Sequence, residues 1–519
     1  MSQTGVTLSK KRGEYLEAGG VEKAAGLVLE RRRKLERLRS CGIDPFLQDF
    51  LVTHEVCEIL EHYGQWDAPS LEGLGETFVL AGRITGKRDF GKVSFMDLTD
   101  RTGRIQCMVH LPSLKEEEVL IVKCLDVGDH LGVKGGLFRT RTGELTLKAE
   151  GLQILSKALR PLPEKWHGLR DVEARYRQRY LDLLINPHVR EIFRVRGRVI
   201  RWIREFLETH GFEEVETPMM QPLPGGADAR PFVTHHNALD VDLYLRVAPE
   251  LFLKRLVVGG IERVYEINRN FRNEGISTQH NPEFTMLEFY RAYAGFEELM
   301  DFTEELFEFL LVRLGKWPLL SYQGSEINMQ RPWKRLRFMD GLVELAQVPR
   351  EILWDLTELK ELAKERHVVL EGRETLGKVL AKLFDALVEP NLISPTFVTH
   401  HPVAISPLAR RNREDPELVD RFELYIAGRE IANAFSELTD PDDQRKRFQQ
   451  QQEMRDRGDS EAQPMDEDFL RALEHGMPPT AGEGIGIDRL VMLLTDSASI
   501  RDVILFPQLR PESTLQTRT

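Results

Sequence analysis

Residues 267–293, INRNFRNEGISTQHNPEFTMLEFYRAY, join a basic loop to a segment whose polarity alternates. If that last part is a strand, one face of it carries four side chains: Phe284, Met286, Glu288 and Tyr290. An acidic side chain is seldom buried without a cation or hydrogen-bond partners, so Glu288 beside Tyr290 indicates a site for a cationic ligand. A structural ion pair with an internal Arg or Lys is the other explanation, and the sequence leaves both open.

A glycine-rich segment near the C-terminus, GEGIGIDR at 482–489, predicts a second strand. Gly482, Gly484 and Gly486 alternate, which differs from the spacing of the dinucleotide-binding fingerprint. Glycines on one strand face leave room for an adenine ring or a second backbone, although tight helix packing would also call for them. Arg489 begins the helix that follows and is placed to reach a phosphate.

A third stretch, GKRDFGK at 86–92, has the spacing of a phosphate-binding P-loop. Val93 follows it where a P-loop needs a Ser or Thr to hold magnesium, and the flanking pattern is that of a hairpin. We therefore predict a basic connection between two strands and no nucleotide site at this position.

The composition is typical of a multidomain protein, because 519 residues with 41% hydrophobic and 30% charged side chains exceed one ordinary core. The formal net charge of −12 argues against a nonspecific nucleic-acid coat, since phosphate-dominated binding uses clustered Lys and Arg. Two local clusters could bind RNA or could be solvated faces: Arg31, Arg32, Arg33, Lys34, Arg37 and Arg39, and Lys87, Arg88, Lys92, Arg101 and Arg104.

The sequence has no run of about 18 apolar residues, and its first residues lack the apolar core of a signal peptide. It therefore predicts a cytoplasmic protein with no membrane partner. No CxxC pair is present, so neither a disulfide framework nor a zinc site is expected. We expect four reduced, structural cysteines: Cys41, Cys57, Cys107 and Cys124.

The pattern along the chain predicts an α+β protein with several parts. Residues 76–158 contain five short strands with a helix between the third and the fourth, which is typical of an OB-fold β-barrel that binds single-stranded nucleic acid. A helix is predicted to end at Gly211. The expected segments are a mobile tail at 1–20, a helical region at 21–75, the barrel at 76–158, a linker at 159–188, and a long domain at 189–519 with a helical insertion at about 330–398.

Three motifs of the long domain resemble the signature motifs of the class II aminoacyl-tRNA synthetases, in the family's order and spacing. They are GFEEVETP with Pro218, FRNE with Arg272 and Glu274, and GEGIGIDR with Arg489. PGGADARPF, HNPEFTMLE, GREIANAFSEL and IRDVILFP resemble the bacterial lysyl-tRNA synthetases of that class. The resemblance covers residues 25–515 and implies an OB-fold barrel followed by a class II catalytic domain, built on an antiparallel β-sheet flanked by helices.

The resemblance also implies the reaction, which is lysine–tRNA ligation. Lysine reacts with ATP to give lysyl-adenylate and pyrophosphate, and the lysyl group then passes to the 3′-terminal ribose of tRNA(Lys). Arg272 and Arg489 would be the catalytic residues, contacting the α- and γ-phosphates, since a guanidinium binds phosphate oxygens in pairs. The ATP-binding set implied is Arg272, Glu274, His280, Asn281, Phe284, Glu423 and Arg489, with Phe284 stacked on the adenine.

For the amino acid, the resemblance implies a pocket with two carboxylates around the ε-ammonium. An uncharged analogue would leave these carboxylates buried and unpaired, which gives specificity for lysine. Glu288, Tyr290 and Glu437 would bind the ε-ammonium, and Phe435 would line the aliphatic chain. Glu250 and the Gly226 backbone would bind the α-amino group, and Asn433 with Arg272 the carboxylate.

Two further sites are implied. Glu423 and Glu430 would hold Mg²⁺ beside the phosphates, as hard oxygen ligands do, and we expect a β-bulge near Ile431 and Ala432 that turns Glu430 and Asn433 to one site. In the barrel, the anticodon would contact Arg88, Phe95, Gln106 and Glu144, with Phe95 as a stacking platform; without the resemblance, Phe95 would be taken for a core residue.

The implied partners are lysine, ATP, tRNA(Lys) and a second copy of the chain, in a symmetric dimer formed through the helix before Gly211 and the strand GFEEVETP. Two rival functions are lysylation of a translation factor, which the barrel disfavours, and an inactive RNA-binding paralogue, which should have lost phosphate or metal residues. Four residues depart from the family's usual pattern: Asp228, Gln279, His401 and Ala404.

Overall fold

In a computed structural model, which describes residues 25–163, 171–372, 374–459 and 461–511, the chain divides into two compact units, Met1–Gly168 and Leu169–Thr519. The predicted tail at 1–20 lies outside the described residues. Among the described helices, none combines the length and apolarity needed to cross a membrane. The four cysteines are free thiols, as predicted.

The first unit is built on a closed barrel of five strands in the order β1-β2-β3-β5-β4, which confirms the predicted OB fold. The strands are β1 (Phe78–Phe90), β2 (Val93–Thr99), β3 (Arg104–His110), β4 (His130–Arg139) and β5 (Leu145–Ser156). The helices are α1 (25–40), α2 (Val56–Tyr63), α3 (Ala68–Glu72) and α4 (Glu116–Cys124), with a 3₁₀ turn at Leu111–Ser113. Helix α4 lies between β3 and β4, and the P-loop-like stretch forms the hairpin between β1 and β2, both as predicted.

The basic cluster on α1 is partly structural. Arg31 is buried and donates hydrogen bonds to the backbone carbonyls of Val127 at 2.9 Å and Ala158 at 3.0 Å. Lys34 forms an ion pair with Asp126 at 2.6 Å. These two cations fasten α1 to the barrel, so neither of the two explanations offered for the whole cluster, RNA binding or a solvated face, applies to them.

The second unit begins earlier than the sequence predicted, because residues assigned to a linker form helices α5 (Val172–Arg177) and α6 (Arg179–Ile185). Arg179 is fully buried, pairs with Asp182 at 2.7 Å and donates to the carbonyl of Leu505 at 3.0 Å. The charged sequence resembled a solvated linker, but its arginine is an internal cross-link. Helix α7 (Pro187–Thr209) follows and ends before Gly211, whose φ of +79° suits a glycine.

The second unit is built on an eight-stranded sheet, antiparallel except for the pairs β14–β15 and β10–β6. Its strands, in spatial order, are β14 (Lys334–Arg337), β15 (Thr396–Thr399), β16 (Arg421–Tyr425), β17 (Glu430–Ser436), β18 (Thr480–Gly486), β11 (Glu283–Ala292), β10 (Arg263–Phe271) and β6 (Glu213–Glu214). Helices α7, α9 (Phe296–Leu314), α15 (Ile487–Leu494) and α16 (Ile500–Val503) enclose the main core on one face of the sheet. The candidate site lies on the opposite, open face of the sheet.

Smaller elements border that open face. They are a three-stranded sheet of β7 (Met220–Gln221), β9 (Val241–Leu245) and β8 (Phe232–His236), and helices α8 (Glu250–Val258), α13 (Pro441–Asp456) and α14 (Glu467–Glu474). The hairpin of β12 (Leu319–Tyr322) and β13 (Ser325–Asn328) packs instead into the main core on the other face. The insertion has its own core and comprises α10 (Phe338–Glu344), α11 (Leu356–Glu365), α12 (Leu376–Leu387) and 3₁₀ turns at Arg350–Ile352 and Glu389–Asn391, with another turn at Val403–Ile405. The predicted insertion, 330–398, also included β14 and most of β15, which belong to the central sheet because they extend it beside β16.

Candidate active site

The register of three adjacent strands places the key side chains in rows across the open face. Directly opposed residues in an antiparallel sheet point to the same side. Gly484 lies opposite Glu288 on one neighbouring strand and opposite Asn433 on the other. Gly482 lies in the same way between Tyr290 and Phe435. These four side chains, which belong to the lysine-binding set implied by the family resemblance, therefore border the same cavity, with the glycines between them.

The alternating glycines make room for these side chains. A Cβ atom on Gly482 would lie 2.3 Å from Oε1 of Glu437 and 2.3 Å from a ring carbon of Tyr290. A Cβ atom on Gly484 would lie 3.0 Å from the methyl carbon of Met286. Close approach is thus the reason for glycine at these two positions. The approaching groups are side chains of the pocket, whereas the sequence had suggested an adenine ring, a second backbone or a packed helix.

Glu288 is buried without an internal counter-ion. Its only described hydrogen-bond donor is the Tyr290 hydroxyl at 3.2 Å, and none of the described cationic side chains forms an ion pair with it. Arg246 pairs instead with Glu266 at 2.7 Å. Burial, and then the nearby charge of Glu250, raise the pKa of Glu288 to about 8. The structural ion-pair explanation is therefore wrong, and the carboxyl is short of a cation.

Glu250 and Glu437 do have an internal counter-ion, which the sequence did not reveal. The ammonium of Lys254 lies 2.5 Å from Oε1 of Glu250 and also forms an ion pair with Glu437. Burial raises the pKa of both carboxyls, and Lys254 opposes that shift. The spacing of Glu250 and Lys254, one helical turn apart, was the only available signal.

Two arginines lie at the other end of the cavity. The Arg272 guanidinium stacks over the Phe284 ring at 5.1 Å, and its buried Nε has no hydrogen-bond partner among the described residues. Arg489 donates to the backbone carbonyl of Glu430 at 2.8 Å and lies 3.3 Å from Nε2 of His280. The other residues of the predicted ATP set differ in exposure: Glu274 is exposed, whereas Asn281 is buried and hydrogen-bonded at both ends of its amide. The cavity thus has a cationic end beside an aromatic ring.

The predicted bulge is confirmed. Leu424 lies opposite Ala432 and Tyr425 opposite Glu430, so Ile431 is the extra residue. Glu430 thereby borders the same cavity as Asn433.

The candidate metal carboxylates are held by protein donors. Glu423 accepts hydrogen bonds from Arg421 and from the Tyr425 hydroxyl at 2.6 Å, and Glu430 pairs with Arg489 at 3.1 Å. Burial and the charges of Asp385 and Glu430 raise the pKa of Glu389 to about 7, which indicates excess negative charge near Glu430. Among the described residues, no cluster has three or more His, Cys, Asp or Glu side chains arranged to hold a metal ion alone.

On the barrel, the predicted anticodon residues lie outside the core. Met96 and Leu98 of β2 point inward, so the alternating Phe95 points outward, and the alternative that it is a core residue is wrong. The exposed Phe90 contacts it edge-on at 6.1 Å between ring centroids. Two pairs flank these rings: Arg88 with Asp97 at 3.5 Å, and Gln106 donating to Glu144 at 3.1 Å. The sequence did not identify Phe90 or Asp97.

Comparisons with known proteins identify both units. Residues 171–510 match the family of class II tRNA synthetases (D, K and N), and residues 78–155 match the OB-fold nucleic acid binding domain. The chain is 54% identical over 501 residues to the lysine–tRNA ligase of Pelotomaculum thermopropionicum, covering 96% of this chain and 98% of that protein. It is also 54% identical to the lysine–tRNA ligase of Carboxydothermus hydrogenoformans, over 485 residues, 93% of this chain and 98% of that protein.

The chain belongs to the lysine–tRNA ligase family. Another relative, the lysine–tRNA ligase of Thioalkalivibrio sulfidiphilus, is 54% identical over 488 residues, 94% of this chain and 98% of that protein. The cavity lies in the segment that matches the synthetase domain. The aromatic pair Phe90 and Phe95 lies in the segment that matches the nucleic acid binding domain.

The four residues that the sequence analysis noted as unusual are separate from the residues assigned to catalysis. Asp228 and Gln279 border the cavity, and Asp228 accepts a weak hydrogen bond from Gln463 at 3.4 Å. His401 is buried with Nε2 3.3 Å from Glu423, and burial lowers its pKa. Ala404 packs against Gly377.

Proposed function

We propose that this chain activates lysine with ATP to form lysyl-adenylate and then transfers the lysyl group to tRNA(Lys). The observation that carries the proposal is Glu288, a buried carboxyl without a protein counter-ion in a cavity whose other end holds Arg272 and Arg489. A primary ammonium supplies the missing charge, and arginines supply the phosphate contacts. The family membership supports the same reaction.

The lysine side chain lies, in this proposal, over the glycines of β18. Its ε-ammonium binds Glu288, Tyr290 and Glu437, and Phe435 contacts the aliphatic chain. Its α-amino group is received by Glu250 and by the Gly226 backbone. This is supported by the position of both residues on the cavity wall, where a Cβ atom on Gly226 would lie 3.0 Å from the Cβ of Glu250. Asn433 and Arg272 receive the carboxylate.

ATP occupies the cationic end of the cavity. The adenine replaces the Arg272 guanidinium on the Phe284 ring, and Arg489 covers its other face and reaches the γ-phosphate. Arg272, whose Nε has no partner in the described part of the chain, turns to the α-phosphate and the lysine carboxylate. Glu274, His280 and Asn281 complete the nucleotide site.

The activation step requires no general base. The carboxylate of lysine attacks the α-phosphorus in line, and pyrophosphate leaves from the opposite side. Arg272 aligns the two reactants and offsets the charge that develops on the phosphoryl oxygens, while the carboxylates around lysine fix its position. Because lysine is already a carboxylate near pH 7, catalysis consists of alignment and charge stabilisation.

The residues around Glu430 fit the Mg²⁺ that the family implies. Magnesium is usually held by one or two carboxylates together with substrate phosphates, so two protein ligands, Glu423 and Glu430, suffice. Asp385 and Glu389 lie near Glu423 and Glu430, and this group of four carboxyls supports a cation at this place. When bound, the ion would offset the charge of the polyphosphate.

In this proposal the barrel binds the anticodon of the tRNA. Phe95 stacks on an anticodon base, and Arg88, Gln106 and Glu144 provide the polar contacts that distinguish bases. Because ligation of amino acids to tRNA serves translation, the cytoplasm is the proposed compartment. We also propose a homodimer through α7 and β6, supported by the position of β6 at the edge of the central sheet.

Pyrophosphate exchange with each of the twenty amino acids tests the activation step, and lysine alone should support it. Charging of tRNA(Lys) and of candidate translation factors then identifies the acceptor. Exchange followed by transfer only to protein would favour the first rival function, and absence of exchange with any amino acid would favour the inactive paralogue.

A further inference from the structure

Lys254 lies behind the lysine pocket rather than in it. Its side chain is 1% exposed, and it does not border the cavity that Glu250, Glu288 and Glu437 line. Its ammonium contacts one oxygen each of Glu250 and Glu437 and lies 5.2 Å above the Phe435 ring. Glu437 receives no hydrogen bond from any described side chain except this ion pair. Lys254 therefore forms ion pairs with two carboxylates of the pocket wall from outside the cavity.

The charges around this ammonium are few. Burial alone lowers the pKa of Lys254, but Glu250 and Glu437 outweigh that effect, so its pKa lies above the usual value and it stays charged. The described titratable groups that face the three pocket carboxylates are Tyr290 from β11, Arg246 and Arg272 near Glu288, and Arg421 and Asp228 near Glu250. On the outer side of α8, Arg255 is paired with Asp466.

A charge count gives this arrangement a consequence. The groups assigned to the two amino groups of lysine, together with Lys254, comprise three buried carboxyls and one buried ammonium, which leaves two negative charges when all four are ionised. The proposed substrate brings two ammonium groups, at its α and ε positions. A third uncompensated carboxylate in a buried site would instead take up a proton, since burial disfavours an unpaired charge.

We propose that Lys254 is a positioning residue for lysine recognition: by bridging Glu250 and Glu437 it fixes both carboxylates and sets the charge of the pocket to match a diamine. This inference rests on the proposed function and extends it to a residue that does not touch the substrate. Lys254 acts through the carboxylates, so it should govern the binding of lysine and leave the binding of ATP alone.

The test is steady-state pyrophosphate exchange by the full chain with Lys254→Met and Lys254→Arg. The methionine variant should raise the KM for lysine by about 10- to 100-fold, because it removes a buried ion pair from each of two lysine contacts. Its KM for ATP should stay within about twofold of the wild type, since the phosphate contacts are separate. Lys254→Arg keeps the charge and should recover part of the lysine affinity.

The pH profile separates positioning from simple loss of structure. Without Lys254 the carboxyls ionise only at higher pH, so the KM for lysine of the methionine variant should fall between pH 7 and 9 more steeply than that of the wild type. A matched control is Lys157→Met in the barrel, where a buried lysine also bridges two carboxylates, Asp126 at 2.6 Å and Asp129 at 2.7 Å. That variant should lose stability with no change in the KM for lysine.

Two results for folded Lys254→Met would overturn the inference. One is an equal rise in the KM for lysine and the KM for ATP. The other is a KM for lysine and a pH profile like those of the wild type. Failure of the proposed function is distinguishable, since the wild type itself would then support no lysine-dependent exchange. If Lys254→Met does not fold, Lys254→Arg decides: its longer, planar head should still shift the KM for lysine but not for ATP.

Discussion

Replacing Glu288 by glutamine removes one charge from the lysine pocket and almost no volume. Glu288 makes one described hydrogen bond, from the Tyr290 hydroxyl at 3.2 Å, which a glutamine oxygen can also accept. The loss is therefore confined to the charge-assisted contact with the substrate ammonium. Such a contact contributes about 1.5 to 3 kcal/mol, so kcat/KM for lysine should fall by about 10- to 150-fold once Glu288 is ionised.

The size of this effect depends on pH in a defined direction. Since the pKa of Glu288 is raised to about 8, only about a tenth of the free enzyme carries the charge at pH 7, and about nine tenths at pH 9. The ratio of kcat/KM between wild type and Glu288→Gln should therefore grow by about 5- to 10-fold from pH 7 to pH 9. Ionisation of free lysine affects both enzymes equally and cancels in the ratio.

Lysine-dependent pyrophosphate exchange at pH 7, 8 and 9 measures this ratio. Glu483→Gln is the matched control, because Glu483 is also buried, its pKa is also raised to about 8 by burial, and it accepts a hydrogen bond from Thr303 of α9 on the opposite face of the sheet. The control ratio should stay near one at every pH. A ratio for Glu288→Gln that is independent of pH, or a control with the same profile, would refute the reasoning.

Three further outcomes follow from the same contacts. Gly482→Ala should lower the rate of lysine-dependent exchange on the order of 100-fold, because its Cβ would lie 2.3 Å from a Glu437 oxygen. Gly484→Ala should lower that rate by less than about tenfold, because the nearest group is the flexible methyl group of Met286. A larger loss in Gly484→Ala than in Gly482→Ala would contradict this. Between pH 5 and 8 the wild type should lose up to about 1.4 kcal/mol of stability per pH unit, since the buried Glu483 carboxyl keeps a proton that the unfolded chain releases, whereas Glu483→Gln should not show this loss. A difference in urea midpoint between variant and wild type that is the same at pH 6 and at pH 8 would exclude this. Phe95→Ala should reduce tRNA charging about 5- to 150-fold through lost stacking while leaving pyrophosphate exchange unchanged, and a loss of both activities would show that the barrel residue acts elsewhere.

Sequence patterns mispredicted residues whose role is decided by burial. Arg179 and Arg31 were assigned to a linker and to a basic cluster, yet both are internal and bind backbone carbonyls. A charged residue is normally exposed, so a sequence gives no signal for the few that are buried as cross-links. The bulge at Ile431 was predicted through the family resemblance, because strict alternation would have put Glu430 on the wrong face.

The sequence by itself determined the barrel, the alternation that puts Glu288 and Tyr290 on one face, and the glycines that leave that face open. These features are local, because the side-chain period of a strand and the missing Cβ of glycine depend only on neighbouring residues. Only the tertiary structure decided which carboxyl lacks a partner. Lys254 reaches Glu437 from a distant helix and leaves Glu288 unpaired, and such long-range pairing depends on how helices pack against the sheet.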